Sequence, residues 1–396
     1  MSRTTGTDRI PILYLLTDEI SSVLVTGQLG YLIDHGFDIT VGTRRWHPDS
    51  PLPPGEWDAG VAVEHVPFVR EPSPISDIWA LWATIRLIRR VRPTIVNAST
   101  PKAGVLGMLA AWICRVKMRI YVVRGLRFET ATGWRRRLYV AAERIAARCA
   151  TQVIFNSPSL MAVGEADGVI REGDGLVLGS GSGNGIDAAR FTDDRLPTRA
   201  EARERFGLPA DAHVIGFVGR FTRDKGLEDL VDVFLSGVAD RDDTYLLLVG
   251  QFERGDAVTA LTRATIESHG RVVVAPWLDH PGVAYRAMDV LAFPSYREGL
   301  PNVPLEAQLC GVPVVAYAAT GTIDAVADGV GGTLVTVGDK SALGHELRRL
   351  LDDGDRRAAI ADTGRAWVSE RFDRRTMWAS LLDVIDEPNG WGVADA

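Results

Sequence analysis

Short, largely apolar runs recur along this chain, each bounded by polar or turn residues. Residues 10–16, 38–43, 94–98, 120–123 and 153–156 form one series; 214–218, 245–250, 272–275, 289–293, 312–317 and 334–337 form a second. Runs of this length without alternation suit strands covered by helices on both faces, as in a parallel sheet. Between them the 3.6-residue period predicts helices over 23–35, closed by Gly36, and over 79–91, 103–114, 134–150, 303–310, 341–351 and 375–385. Trp79, Trp82, Ala83, Leu87 and Val91 set one face of the helix over 79–91; Trp378, Leu381 and Leu382 set one face of the last. Strand alternating with helix predicts an α/β chain of doubly wound units.

Three stretches break the pattern. Residues 1–9 and the final six read as loose, and 46–76, rich in Pro, Asp and Trp, as a long irregular connection. The run Gly179-Ser180-Gly181-Ser182-Gly183-Asn184-Gly185 reads as the most flexible, either a plain linker or a hinge. An acidic, helix-rich segment and a new strand follow it, which favours the hinge. At 396 residues the chain exceeds what one hydrophobic core organises. The expected domains are therefore 1–185 and 186–374, with 375–396 as a terminal helix.

Composition adds a compartment and a charge asymmetry. Cys114, Cys149 and Cys310 lie in apolar helical settings without metal-ligand spacing and read as buried thiols of a reducing compartment. The first residues lack the sections of a secretory signal, and no apolar run reaches the ~18 residues of a spanning helix. A cytoplasmic protein is expected, with peripheral contact at the inner face of the membrane. Between residues 85 and 150, 15 Lys or Arg face only Glu129 and Glu143, a balance of +13 in a chain of net charge −7. Singly, such Arg residues solvate helix faces; together they suit an anionic lipid surface or a diphosphate. Arg135, Arg136 and Arg137 open the helix over 134–150 against the dipole preference, which points to a partner. No nucleic-acid reading motif accompanies the basic segment.

Candidate chemistry concentrates after the apolar run 289–293. Pro294-Ser295-Tyr296-Arg297-Glu298-Gly299-Leu300-Pro301 leads into a helix read from Val303, with Pro304 in its first turn. A strand–loop–helix unit aims backbone N–H groups and a positive dipole end at a bound anion. Glu298 in the loop and Glu306, read as a first-turn residue, flank that position and suit sugar hydroxyls. Upstream, Gly219-Arg220 ends the run 214–218, and Lys225-Gly226 follows five residues later. Two cations leaving one strand end suit a diphosphate; a structural pair of surface cations is the other reading. The spacing is not that of a P-loop, and the 17–22 turn lacks the glycines of a dinucleotide fingerprint. Trp277 follows the run 272–275 and reads either as a base-stacking residue or as a cap of the core.

The run Glu298-Gly299-Leu300-Pro301-Asn302-Val303-Pro304-Leu305-Glu306 resembles the signature of the GT-B glycosyltransferases of family 4, the glycosyl transferases group 1. Gly216 to Phe221 with Lys225-Gly226, Tyr245 to Gly250, Val314 to Tyr317 and Asp328-Gly329 follow the family's order. Thr100 to Gly104 and Arg124 to Glu129 match more loosely. The resemblance implies two doubly wound parallel-sheet domains facing a central cleft, with the terminal helix crossing back to the first. It implies transfer of a hexose or N-acetylhexosamine, with retention, from a UDP-sugar or other NDP-sugar to a lipid-linked or polysaccharide acceptor in cell-surface glycan synthesis. Arg220, Lys225 and Glu298 would be catalytic, and Gly219, Trp277, Gly299, Leu300, Pro301, Asn302, Val303 and Glu306 would bind the donor. Lys102, Arg124, Arg127 and Glu129 would serve the acceptor or phosphate side, with a polyprenyl-diphosphate-linked sugar or glycan as partner.

Relatives carry His-Gly where this chain has Arg124-Gly125. A guanidinium clamps phosphate but cannot act as a base near neutral pH. Pairing with a carboxylate is its other reading. No metal and no cofactor are expected, because the two cations can carry the leaving-group charge. Transfer to a soluble small molecule and a GT-B sugar-nucleotide epimerase are the alternative functions.

Overall fold

The computed structural model describes residues 9–46, 56–69, 73–191, 195–238, 241–253 and 255–386. The expected loose leader, apart from Arg9, and the final six residues lie outside them. Two compact units emerge, one of residues 1–185 with 374–396 and one of 186–373.

Among the described residues the first unit is built on seven strands, β1 Ile10–Asp18, β2 Phe37–Arg44, β3 Ala62–His65, β4 Ile95–Ser99, β5 Met118–Val123, β6 Gln152–Phe155 and β7 Gly175–Val177. All pair in parallel in the order β3-β2-β1-β4-β5-β6-β7. The helices α1 Gln28–Asp34, α2 Pro74–Val91, α3 Pro101–Ile113, α4 Gly133–Cys149 and α5 Pro158–Ala166 connect them. Successive β1 side chains enter opposite layers, because strand Cβ atoms alternate. Leu13 and Leu15 join a core containing Ala80, Leu87, Ala111, Val140 and Leu160 from α2 to α5. Ile12, Tyr14 and Leu16 join the other, with Leu29 and Leu32 of α1. Both sets are almost inaccessible, which is why β1 reads as an unbroken apolar run.

The second unit holds β8 His213–Val218, β9 Thr244–Val249, β10 Val272–Ala275, β11 Val290–Phe293, β12 Val314–Tyr317 and β13 Gly332–Val335, again all parallel, in the order β10-β9-β8-β11-β12-β13. Its helices are α6 Arg199–Arg205, α7 Leu227–Val233, α8 Ala260–Ser268, α9 Gly282–Ala287, α10 Asn302–Leu309, α11 Thr322–Ala325, α12 Lys340–Asp352 and α13 Gly354–Arg371. Buried Arg203 donates to Asp289 Oδ2 at 2.9 Å, and the Val214 N–H donates to the same oxygen at 2.7 Å, which ties α6 to the starts of β8 and β11. A final helix, α14 Arg374–Asp386, belongs to the first unit, where Met377, Trp378, Leu381, Leu382 and Ile385 complete the core around Ile12 and Tyr14.

Several sequence expectations are corrected. The helix expected over 23–35 breaks at Gly27, whose φ of 78° no helix interior accepts, and α1 runs only from Gln28. Within 46–76, read as irregular, lie the edge strand β3 and the first residues of α2; Pro74 pre-sets the helical φ at N1. The buried face of α2 is Ala80, Thr84, Leu87 and Ile88, while Trp79 and Trp82 face outward. The glycine-rich run ends where the two units divide, and it carries local hydrogen bonds: Ser182 N–H donates to Asn156 O at 2.6 Å, and Ser182 Oγ accepts from Gly185 N–H at 2.9 Å. Of the cysteines, Cys149 and Cys310 are buried but Cys114 is only half-buried. Among the described residues no helix is long and apolar enough to cross a membrane.

Candidate active site

Carboxyl ends of parallel strands collect loops, and in the second unit the loops after β8 and β11 meet. Gly226 makes this possible. Its φ is +69°, and a Cβ there would sit 2.0 Å from the Pro294 carbonyl oxygen. The Tyr296 N–H donates to Asp224 O at 2.9 Å, so the two loops are joined main chain to main chain. From below, the Tyr296 and Tyr317 hydroxyls both donate to Asp229 Oδ2, at 2.6 and 2.9 Å. Burial, with Asp229 beside it, pushes the Tyr296 phenol up to about 12, so it stays a donor at neutral pH. On the far side Gly321, at φ +74°, lies against the Gly299 carbonyl, and Glu298 N–H donates to Thr320 O at 3.0 Å.

Within this frame Lys225 Nζ stands 2.5 Å from Glu298 Oε1, and Ser295 Oγ donates to the same oxygen at 2.7 Å. Arg220 donates to Glu253 Oε2 at 3.0 Å and to Asp224 Oδ2 at 3.3 Å. Burial works against that charge, but Asp224 and Glu253 outweigh it and raise the Arg220 pKa. Burial likewise opposes the Asp224 carboxylate, yet the Thr222 hydroxyl and the cations Arg220, Lys225 and Arg297 hold its pKa low. Each cation is thus fixed in place by carboxylates, an arrangement that orients it before any ligand arrives.

The helix α10 begins at Asn302, one residue earlier than expected, with Pro301 as its N-cap. Glu306 is consequently its fifth residue and lies beyond the first turn. It is held instead by the buried Tyr285, whose hydroxyl donates to Glu306 Oε2 at 2.9 Å. Burial raises the Glu306 pKa, opposed by that hydrogen bond and by Arg190. Gly299, Leu300 and Pro301 are buried, Val303 is half-buried and Asn302 is exposed at the helix start. Gly219 leaves β8 at φ +154°, beneath Arg220. Trp277 is 45% exposed on the loop after β10, so it does not cap the core.

The residues expected on the first unit separate by partner. Lys102, at the start of α3, donates to Asp77 Oδ1 at 2.6 Å. The Arg127 guanidinium stacks over Tyr139 at 5.4 Å, and Glu129 is half-buried in the same short turn. Arg124, the first residue after β5, pairs with no carboxylate among the described residues. Sequence reading missed Tyr285, Asp224, Glu253, Asp229 and Ser295. Tyr285, Glu253 and Asp229 reach partners 21 to 88 residues away, whereas Asp224 and Ser295 contact Arg220 and Glu298 within their own loops and carried a local signal.

The family follows from comparison with known proteins. A model of glycosyl transferases group 1 matches residues 212–353, and one of the glycosyl transferase 4-like domain matches residues 23–172. The chain is 33% identical over 95% of its length to the capsular polysaccharide biosynthesis glycosyltransferase CapM of Staphylococcus aureus, covering 96% of that protein. The chain belongs to the group 1 glycosyltransferases. Solved structures agree on the fold. Sucrose-phosphate synthase of Thermosynechococcus elongatus superposes with a TM-score of 0.80 at 22% identity, over 96% of this chain and 100% of that one. Anabaena HepE, solved with UDP and glucose, gives 0.76 at 22% identity, over 96% and 100%. This glycosyltransferase therefore has the GT-B fold, and its group 1 match spans the loops after β8 and β11.

Proposed function

We propose that this glycosyltransferase moves a hexose or N-acetylhexosamine from a UDP-sugar or another NDP-sugar to a lipid-linked or polysaccharide acceptor, in cell-surface polysaccharide synthesis. The observation that carries the donor class is Lys225, locked to Glu298 beside Arg220 at the carboxyl ends of β8 and β11. Breaking the anomeric C–O bond sends its electron pair onto the departing diphosphate. Arg220, Lys225 and the N-terminal N–H groups of α10 supply the positive field that this charge requires. The two cations do this without a metal, and no cofactor is needed. Glu298 and the backbone of Gly299–Asn302 hold the sugar, Glu306 accepts from the ribose hydroxyls, and Trp277 lies against the base. HepE, a fold neighbour, was solved with UDP and glucose, and CapM is a capsular polysaccharide enzyme; both support the reading. Transfer proceeds with retention at the anomeric carbon, as the resemblance implies.

The lipid-linked acceptor is supported by the outer faces of α2 and α4. Ile75, Ile78, Trp79 and Trp82 on α2, and Trp134 and Leu138 on α4, are all at least 48% exposed. Arg86 stacks on Trp82 at 4.7 Å, and Arg135 on Trp134 at 5.6 Å. Exposed Trp and Ile among Arg suit the interface of an anionic bilayer, which gives the enzyme a peripheral place on the inner leaflet.

The test is a panel of nucleotide sugars offered with a polyprenyl-diphosphate-linked sugar in vesicles, reading nucleotide release and product configuration by NMR. Release from one UDP- or NDP-hexose with a retained anomeric centre is expected. Absence of nucleotide-sugar binding across the panel overturns the donor assignment, and turnover on free oligosaccharides alone overturns the lipid-linked acceptor.

A further inference from the structure

Arg124 leaves the carboxyl end of β5 with its Nε buried and, among the described residues, without a hydrogen-bond partner. Among the described residues it forms no ion pair. Tyr14 is the group that bears electrostatically on it, and burial pushes that phenol well above its usual range, so it remains neutral and cannot balance a cation. Burial also pulls the guanidinium down to about 10, which leaves it charged at neutral pH. Beside it, just after β6, Asn156 is 7% exposed and its Oδ1 has no donor among the described residues.

The two groups converge on Gly183. A Cβ there would lie 1.9 Å from Arg124 Nη1 and 3.0 Å from Asn156 Oδ1, so only a residue without a side chain leaves both in place. The surroundings are fixed. Gln28 Nε2 reaches Gly183 O at 3.5 Å, the Tyr14 hydroxyl reaches Gln28 Oε1 at 3.4 Å, and Asn156 O accepts from Ser182 N–H. A buried guanidinium Nε and a buried amide oxygen, each without a partner among the described residues, both cost the fold stability. Here a donor and an acceptor sit side by side without satisfying one another.

We propose that Arg124 and Asn156 form an acceptor-side subsite for an oxyanion carried next to a hydroxyl, the anion on Arg124 and the hydroxyl donating to Asn156 Oδ1. A phosphate and the carboxylate of an acidic sugar share that chemistry. The ligand's assignment to the acceptor rests on the transferase reading above, in which the donor diphosphate belongs to Arg220 and Lys225. The existence of the anion site does not.

The experiment is calorimetric titration of the full chain, saturated with UDP, with inorganic pyrophosphate, with glucuronate, and with glucose as the neutral control. One-to-one binding of pyrophosphate, of glucuronate or of both, with glucose silent, is expected; the anion that binds names the source. Arg124→Gln should weaken that binding at least about tenfold, and Arg124→Lys should retain most of it. Gly183→Ala, whose methyl would meet Arg124 Nη1 at 1.9 Å and so displace the guanidinium while keeping its charge, should abolish it. Asn156→Asp should also abolish it while raising the melting temperature, because the new carboxylate pairs with Arg124 inside the fold. Silence of both anions in wild type, or undiminished binding in Arg124→Gln, overturns the subsite. Failure to bind UDP in the first titration concerns the donor reading alone, since those residues lie in the other unit.

Discussion

Lys225 Nζ and Glu298 Oε1, 73 residues apart in sequence, meet at 2.5 Å. The contact joins the loop after β8 to the loop after β11, and both side chains are largely withdrawn from solvent. If the cation stabilises the departing diphosphate, removing it should slow chemistry more than binding. Lys225→Ala and Arg220→Ala are each expected to lower turnover at saturating donor by ~100-fold or more, the usual loss of one preorganised oxyanion donor. Steady-state kinetics check this; near wild-type kcat in both variants would remove them from catalysis.

Gly226→Ala should show that the two loops depend on one another. The new methyl meets the Pro294 carbonyl at 2.0 Å, at a backbone φ of +69°. Strain of about 1–3 kcal/mol is expected, read as a lowered melting temperature together with weaker UDP-sugar binding. A variant as stable and as tight-binding as wild type would show that the loops move apart freely.

Under the proposed mechanism, in which Arg220 and Lys225 would carry the leaving-group charge, excess EDTA should leave transfer at full rate. Activity lost to chelator and restored by magnesium or manganese would assign that role to a metal.

Glu143 gives the first unit a pH dependence. It is buried on α4, accepts from the Tyr121 hydroxyl, and burial raises its pKa to about 7 against that hydrogen bond. The folded chain therefore keeps a proton that the unfolded chain releases near the ordinary Glu value. Its stabilising share is complete at low pH and is lost as pH rises toward and through about 7, on the order of 3 kcal/mol in all. Thermal melts from pH 5 to 8 should fall in wild type, and the fall should flatten in Glu143→Gln. An unchanged slope in the variant would show that Glu143 is ionised in the fold.

The enzyme should sediment with anionic vesicles at low salt and be released as salt rises. Arg136 is already paired with Asp167, so the informative cations on α4 are Arg135 and Arg137. Replacing both by Glu, with Trp79 and Trp82 by Ser, should abolish sedimentation and leave UDP binding intact. Persistent vesicle binding would move the membrane face elsewhere.

The sequence alone determined the parallel α/β class, because strands covered on both faces must be nearly all apolar, and β1, β8, β9 and β12 are. It also marked the loop 294–301 and the pair Arg220 and Lys225, because a strand end followed by a helix start is a local signal. Contacts between distant segments were beyond it. Tyr285 beneath Glu306, Asp229 beneath Tyr296 and Glu253 beside Arg220 exist only once separate strands lie side by side, since no periodicity records which loop meets which. Exposure was decided in the same way. Trp79 and Trp82 sit on an apolar stripe by spacing, yet α2 turns Ala80, Thr84, Leu87 and Ile88 inward, because small and aliphatic residues pack closely against α3 and the sheet. Tertiary structure likewise left Arg124 without a carboxylate among the described residues: charge can be counted along a chain, but pairing is a property of folded space.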